Sequence, residues 1–256
     1  MVYEEYKKSL KNSLRVEVPL VLLFIIGIFF LQTFSFTSAA PTGPDTIGIV
    51  SNETSTTLSG YNLNISGGRI ATINITTSTQ NVRWKAFVGN VTGSFALDDA
   101  SGSTIYDWSL TTITGEIYAT RNSSSISWAT LNCSNITTLE SENIRMNHTQ
   151  VNDNITRTFN NGINGSHSSF FVATANILAN SCPTLNTYVN NATQDTDFEE
   201  IVLYEPAGSN TIYATIMEED TTGFDNAKYD FQMIVPEIGY QGFSGSTAYY
   251  IYVELT

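Results

Sequence analysis

The only histidines, His148 and His167, each lie in or beside an Asn-x-Ser/Thr triplet. Nucleophilic catalysis needs a base held against a Ser or Cys. Both imidazoles are therefore expected on exposed loops, and no acyl-transfer site follows. There is no Gly-x-Ser-x-Gly, no glycine-rich phosphate loop and no His-Glu-x-x-His; Gly242-Phe243-Ser244-Gly245 reads as a turn. Carboxylates are the remaining chemistry. Of 24 acids, twelve fall between Asp195 and Glu254, with Lys228 the sole base among them. Asp197, Glu199, Glu200, Glu218, Glu219, Asp220, Asp225 and Asp230 form the dense part. A hard cation such as Ca²⁺ takes oxygen ligands from loops. Its weak candidates are Asp220, Asp225 and Asn226, in a turn that lacks EF-hand spacing. A glycosidase would instead hold two carboxylates about 5 to 9 Å apart in a cleft. A solvated acidic face is the simplest reading, and Asp98, Asp99 and Asp107 form a second, weaker acidic turn of the same kind. No catalytic residue is assigned, and the chain is not expected to be an enzyme.

The elements that carry these residues lie beyond an unusual front end. The chain has 256 residues and a formal charge of −13. From Pro41 onward it holds 21 acids and 7 bases. A nucleic-acid partner is excluded, because phosphate binding needs a basic face. Only 14% of residues are charged, while Ser, Thr and Asn number 26, 34 and 24. Thr and aromatics favour strands, and Asn, Ser and Gly favour turns. That composition suits a secreted all-β protein.

Val18 to Leu31 is an apolar run without charge, extending to Phe36 if Gln32, Thr33 and Ser35 are tolerated. Nineteen helical residues at about 1.5 Å each approach the roughly 30 Å hydrocarbon thickness of a bilayer. Lys7, Lys8, Lys11 and Arg15 precede the run, and no base follows until Arg69. Cationic flanks stay cytoplasmic, so the N-terminus is expected inside and the body outside. The segment serves either as an uncleaved signal-anchor or as a signal peptide cut near Thr37-Ser38-Ala39. Both routes send the body across the membrane.

Eleven Asn-x-Ser/Thr sequons follow, at Asn52, Asn64, Asn74, Asn90, Asn122, Asn132, Asn135, Asn147, Asn154, Asn164 and Asn191. That is about twice what chance placement gives, and it points to N-glycans on exposed turns. Cys133 and Cys182 are the only cysteines. Outside the cell they read as one disulfide closing a loop of about 50 residues, worth roughly 3 to 4 kcal/mol; two buried free thiols are the alternative.

Pro41 to Gly60 lacks periodicity and reads as a stalk. Strand-like runs follow at Arg69–Thr77, Asn81–Val91, Ser94–Leu97, Thr104–Leu110, Gly115–Thr120 and Ser125–Cys133. Thr138–His148 is the best helix candidate, with Ser141 as its cap. Asn147–His167 reads as a glycosylated loop, and Ser169–Ile177 returns to apolar residues. Phe198–Tyr204, Thr211–Glu218, Lys228–Val235 and Thr247–Leu255 are the later strands. Trp84, Trp108 and Trp128 lie in strand-like text, where they serve either as core or as a sugar-stacking platform.

NVRWKAFVGNVTG, LDDASGSTIYDW, GEIYATR, FEEIVLY and YDFQMIVPE resemble a group of uncharacterised archaeal cell-surface proteins with an N-terminal signal-anchor. The resemblance spans most of the mature chain. It implies an envelope in which N-glycosylation is common, and it implies no activity. The expected architecture is all-β, an antiparallel β-sandwich of immunoglobulin-like type preceded by one N-terminal transmembrane helix. Its parts are a cytoplasmic basic segment (1–16), the anchor (17–36), a stalk (37–66) and the extracellular sandwich (67–256). The sandwich is either one body or two β units meeting near 134–168. The expected role is structural or interaction work at the cell envelope: adhesion, surface-layer association or a filament subunit. Expected partners are the membrane, other copies, envelope proteins or glycans. A carbohydrate-binding module or a glycan-acting enzyme with paired carboxylates is the competing class.

Overall fold

In chain order the strands are β1 (Trp84–Gly89), β2 (Ser94–Asp98), β3 (Thr104–Ser109), β4 (Gly115–Thr120), β5 (Asn132–Cys133), β6 (Phe170–Val172), β7 (Ala175–Ile177), β8 (Thr184–Asn186), β9 (Glu199–Glu205), β10 (Asn210–Ile216), β11 (Thr221–Thr222), β12 (Lys228–Tyr229), β13 (Phe231–Pro236) and β14 (Tyr250–Leu255). The helices are α1 (Ile136–Arg145) and α2 (Ile155–Thr158), with a 3-10 turn at Trp128–Thr130. This computed structural model describes residues 40–123, 125–240 and 242–256. The basic segment and the anchor expected over 1–16 and 17–36 lie outside these residues. No helix among the described residues is long and apolar enough to cross a membrane.

The strand pairings are antiparallel and the fold is all-β. A six-stranded sheet runs β14-β4-β10-β9-β5, with β8 also on β9. Sequences such as GEIYAT and EEIVLYE do not alternate cleanly because both faces of this sheet are covered. On one face Ile117, Val202 and Tyr213 meet Met233 and Val235 of the β1–β13 ribbon and Leu139, Met146, Ile155 and Phe159 of the helical region. On the other, Tyr118, Ile201, Leu203 and Ile212 meet Phe170, Val172, Ile177 and Leu131. Residues 134–168 thus supply helices to the same apolar cluster as the sheet.

Polar side chains fasten the ribbon to the sheet. Thr215 Oγ1 donates to the Gln232 carbonyl at 3.0 Å, and Glu200 Oε2 accepts from Ile234 N–H at 2.9 Å. β4 and β14 approach closely at Gly115. Its φ of +129° and the nearby Glu254 carbonyl leave no room for a Cβ there, so only glycine serves.

Three local expectations shift. α1 begins earlier than expected: Asn135 caps it, accepting from Thr138 N–H at 3.0 Å, while Thr138 Oγ1 accepts from Asn135 N–H at 2.8 Å. This reciprocal pair satisfies two donors of the first turn. Ser141 sits inside the helix, its hydroxyl donating to the Thr137 carbonyl. Ser125–Cys133 is not a continuous strand. Trp128 turns the chain over, its ring 5.2 Å from Tyr118 and 5.1 Å from Tyr252. Arg69–Thr77 forms no strand and is exposed throughout.

Cys133 and Cys182 are joined, with Cα atoms 4.8 Å apart and a sequence separation of 49. The bond ties β5 to the turn before β8. Replacing both cysteines with Ser should lower unfolding free energy by about 3 to 4 kcal/mol on the chain-entropy scale. Urea titration of parent and double variant reads this; an unchanged midpoint would show that β5 and β9 hold the loop alone.

Candidate interaction surface

The hairpin β2–β3 stands apart from both apolar clusters. Its register pairs Phe95 with Trp108 and Leu97 with Tyr106. Residues directly opposite share a face, and so do residues two apart along a strand. All four side chains therefore lie on one face, 42%, 50%, 56% and 60% exposed for Phe95, Trp108, Leu97 and Tyr106. The Tyr106 and Trp108 rings meet edge to face at 4.9 Å. The connecting turn is built by an acid: Asp99 Oδ1 accepts from Ser101 and Ser103 N–H, each at 2.8 Å, and Gly102 adopts φ +77°. The bonds from Ser103 and Ser101 hold the Asp99 carboxyl below its ordinary value.

A second exposed apolar stretch precedes it. Thr42 makes a single antiparallel bridge to Val253 on the outer edge of β14, through bonds of 3.0 and 2.8 Å. Residues 43–80 then carry neither strand nor helix, and every one is exposed. Ile70, Ile73 and Ile75 are 100%, 53% and 78% exposed. Among the described residues, 17 of the 28 large exposed apolar side chains lie between Ile47 and Trp108. The apolar surface is therefore gathered in one part of the chain.

The sequons divide by environment. Asn52, Asn64, Asn74, Asn90, Asn132, Asn135 and Asn191 are exposed, while Asn122, Asn147, Asn154 and Asn164 are half-buried. Asn135 and Asn154 cap α1 and α2 through their Oδ1 atoms. Asn132 Nδ2 donates to the Thr130 carbonyl at 3.1 Å, and Asn147 Nδ2 to the Gly239 carbonyl at 3.3 Å. Asn164 spends both amide hydrogens on the carbonyls of Arg157 and Thr158, at 2.7 and 2.8 Å.

The C-terminal acids serve mainly as acceptors for turns. Asp225 accepts from Ala227 N–H and Tyr229 Oη–H, each at 3.0 Å. Asp230 accepts from Val91 and Asp220 N–H, linking two loops. Asp220 and Asn226 occupy corners with φ of +49° and +71°. Among the described residues, no group of three or more His, Cys, Asp or Glu is gathered as a metal site. Glu218 packs beside Asp197, and burial together with that charge pushes its carboxyl up to about 7.

The histidines are not on exposed loops. His148 is 1% exposed, its Nε2 2.7 Å from the Glu237 carbonyl and its ring 5.2 Å from Trp84. Burial holds it below its ordinary pKa. His167 is 2% exposed; its Nε2 accepts from Cys182 N–H at 3.1 Å, so Nδ1 donates to the Ser168 carbonyl. Both rings are packing and wiring elements. Trp84 is half-buried, against His148 and Phe159. Trp108 alone of the three tryptophans stands half-exposed on a free face.

The sequence reading missed one carboxylate pair. Glu116 and Glu254 lie directly opposite each other on β4 and β14, 5% and 2% exposed. The signal was present in GEIYAT and YVELT, but only the strand register brings the two acids together. Glu254 accepts from Tyr118 Oη–H at 3.0 Å and from Ala173 N–H at 3.0 Å. Glu116 Oε2 has no hydrogen-bond partner. The pair is enclosed, and neither of the two clefts described here reaches it. One cleft, about 710 Å³, lies between Arg83, Gln150 and Tyr240; the other, about 290 Å³, lies between Arg121 and Arg145. No family description, curated protein or solved structure matches the chain.

Burial, with the Glu254 carboxylate opposite, pushes the Glu116 carboxyl from 4.5 up to about 8. Between those values the folded protein keeps a proton that the unfolded chain releases. Stability is therefore lost as pH rises through this window and levels off above it. Glu116→Gln removes the titration. At pH 9 the variant should exceed the parent by about 3 to 5 kcal/mol, and at pH 4 the two should nearly coincide. Denaturant titrations at both values measure the gap. A gap independent of pH would contradict the assignment.

Proposed function

We propose that this chain is an envelope protein, held to a membrane by residues 17–36 and N-glycosylated outside the cell. It does structural or interaction work there through the apolar surface of residues 43–109. The resemblance of its strand motifs to archaeal surface proteins supports the setting. The one-sided Lys/Arg count supports the orientation. The six-stranded sheet faced by the β1–β13 ribbon supports a sandwich, and the immunoglobulin-like type is proposed as its finer description. The carrying observation is the exposed face of Phe95, Leu97, Tyr106 and Trp108. A contiguous apolar patch on a soluble body marks a contact site, and a lone two-stranded hairpin is marginal without a covering partner.

The alternative reading is carbohydrate binding, favoured by the adjacent Tyr106 and Trp108 rings, since aromatic faces stack on sugars. One experiment separates them. The variant Phe95→Ser, Leu97→Thr, Tyr106→Ser, Trp108→Thr leaves both apolar clusters intact. On native gels of mildly solubilised envelope, the parent should run in a larger complex and the variant as a free chain with unchanged melting temperature. A parent that runs free, yet is retarded in polysaccharide-containing gels, would replace this reading with the carbohydrate one.

Intact mass and peptide mapping of native protein test the setting. The glycan is joined through Nδ2, so the expected result is glycan on exposed asparagines such as Asn64 and Asn74 and a bare Asn164. Unmodified asparagines throughout, in a cytosolic chain, would overturn the proposal.

A further inference from the structure

Each copy carries two uncovered surfaces that complement one another. The first is the arm, residues 43–80. Its run Arg69–Thr77 alternates from Ala71 onward, with Ala71, Ile73 and Ile75 on one side and Thr72, Asn74 and Thr76 on the other; ahead of them Arg69 falls on the first side and Ile70 on the second. A strand of this pattern covers its apolar side and leaves its polar side in solvent. The sequon Asn74 falls on the polar side, as does Asn64 relative to Leu63 and Ile65, so glycans at both positions leave the apolar side free. The second surface is hairpin β2–β3, with an apolar face and only two strands.

Charge matches the two. The docking run Arg69–Thr77 holds one base, Arg69, and no acid; the arm's two acids, Asp45 and Glu53, lie well before it. The hairpin holds Asp98, Asp99 and Asp107 and no base. The chain does not join them within itself: the arm and the hairpin face are both exposed in a single copy. Pairing of the arm with its own sheet stops early. Thr42 bridges Val253, and two residues on, opposite Ile251, stands Pro44, which has no N–H to continue the ladder.

We propose that Arg69–Thr77 of one copy docks on the β2–β3 hairpin of a second copy, adding a strand to it. The reading rests on the contact role proposed above and names the partner. Donor and acceptor are different surfaces of the same chain, so the contact is head-to-tail and each copy can both give and receive. Main-chain bonds supply affinity in such strand addition, and alternate side chains supply register.

Full-length protein in mild detergent, carrying two different tags, tests it. Ile73→Cys in one tagged form and Leu97→Cys in the other should yield a disulfide-linked species bearing both tags. Ile73→Cys with Leu178→Cys, exposed elsewhere, should yield at least fivefold less. Arg69→Glu should reduce the first product about fivefold. No product above the Leu178 control would overturn the inference. So would closure of an intrachain disulfide alone when both cysteines sit in one copy. If the native-gel complex persists while the cross-link fails, the contact role stands and the second copy is not the partner.

Discussion

Covering both faces of one antiparallel sheet is the constraint from which the rest of this fold follows. β4, β9 and β10 have no side open to water, so every side chain they carry must find company in the interior. The ribbon β1–β13 and the helices cover one face; β6–β7, Trp128 and the disulfide loop cover the other. The strands also bring acids inside, and an isolated buried charge is costly. The protein meets that cost in two ways. Glu200 accepts a backbone N–H, and burial raises its pKa well above the usual carboxylate range. Glu116 faces Glu254 across β4 and β14 and is raised as well. Elsewhere the fold spends acids on turn donors, as Glu205 does with the N–H groups of Ala207 and Gly208.

Strand text with strong local grammar was legible in the sequence. Gly115–Thr120 is a strand from end to end as expected, and the later runs at β9, β10, β13 and β14 fall within a few residues of their expected bounds. The disulfide was legible because two cysteines leave one pairing. What misled was anything decided by tertiary company. Arg69–Thr77 has the alternation of a strand, yet alternation only offers a face; without a neighbour to bond, no strand forms. His148 and His167 were placed outside on the strength of adjacent sequons, but backbone partners and aromatic neighbours draw the rings in. In the acidic C-terminal stretch, composition alone did not reveal that Asp225 and Asp230 accept N–H groups of their own loops. The four-residue apolar face of β2–β3 emerges only from the strand register; the sequence left Trp108 as either core or sugar platform.

The functional picture joins three independent features. The proposed setting rests on a basic front end followed by an apolar run, the arrangement that directs a segment across a bilayer. The sequons and the disulfide suit an oxidising exterior. The concentration of exposed apolar side chains between Ile47 and Trp108 supplies a surface with work to do, on a body whose net charge otherwise keeps copies apart. In this account the core sheet is a rigid platform and the arm and hairpin are its working parts.

Amide hydrogen exchange on the free chain and on its native complex tests that division most directly. The account expects β4, β9 and β10 to exchange slowest in both states. Residues 43–80 and β2–β3 should exchange fast in the free chain and become protected in the complex. Arm amides as slow as those of β10 in the free chain, or arm amides left unprotected in the complex, would contradict it.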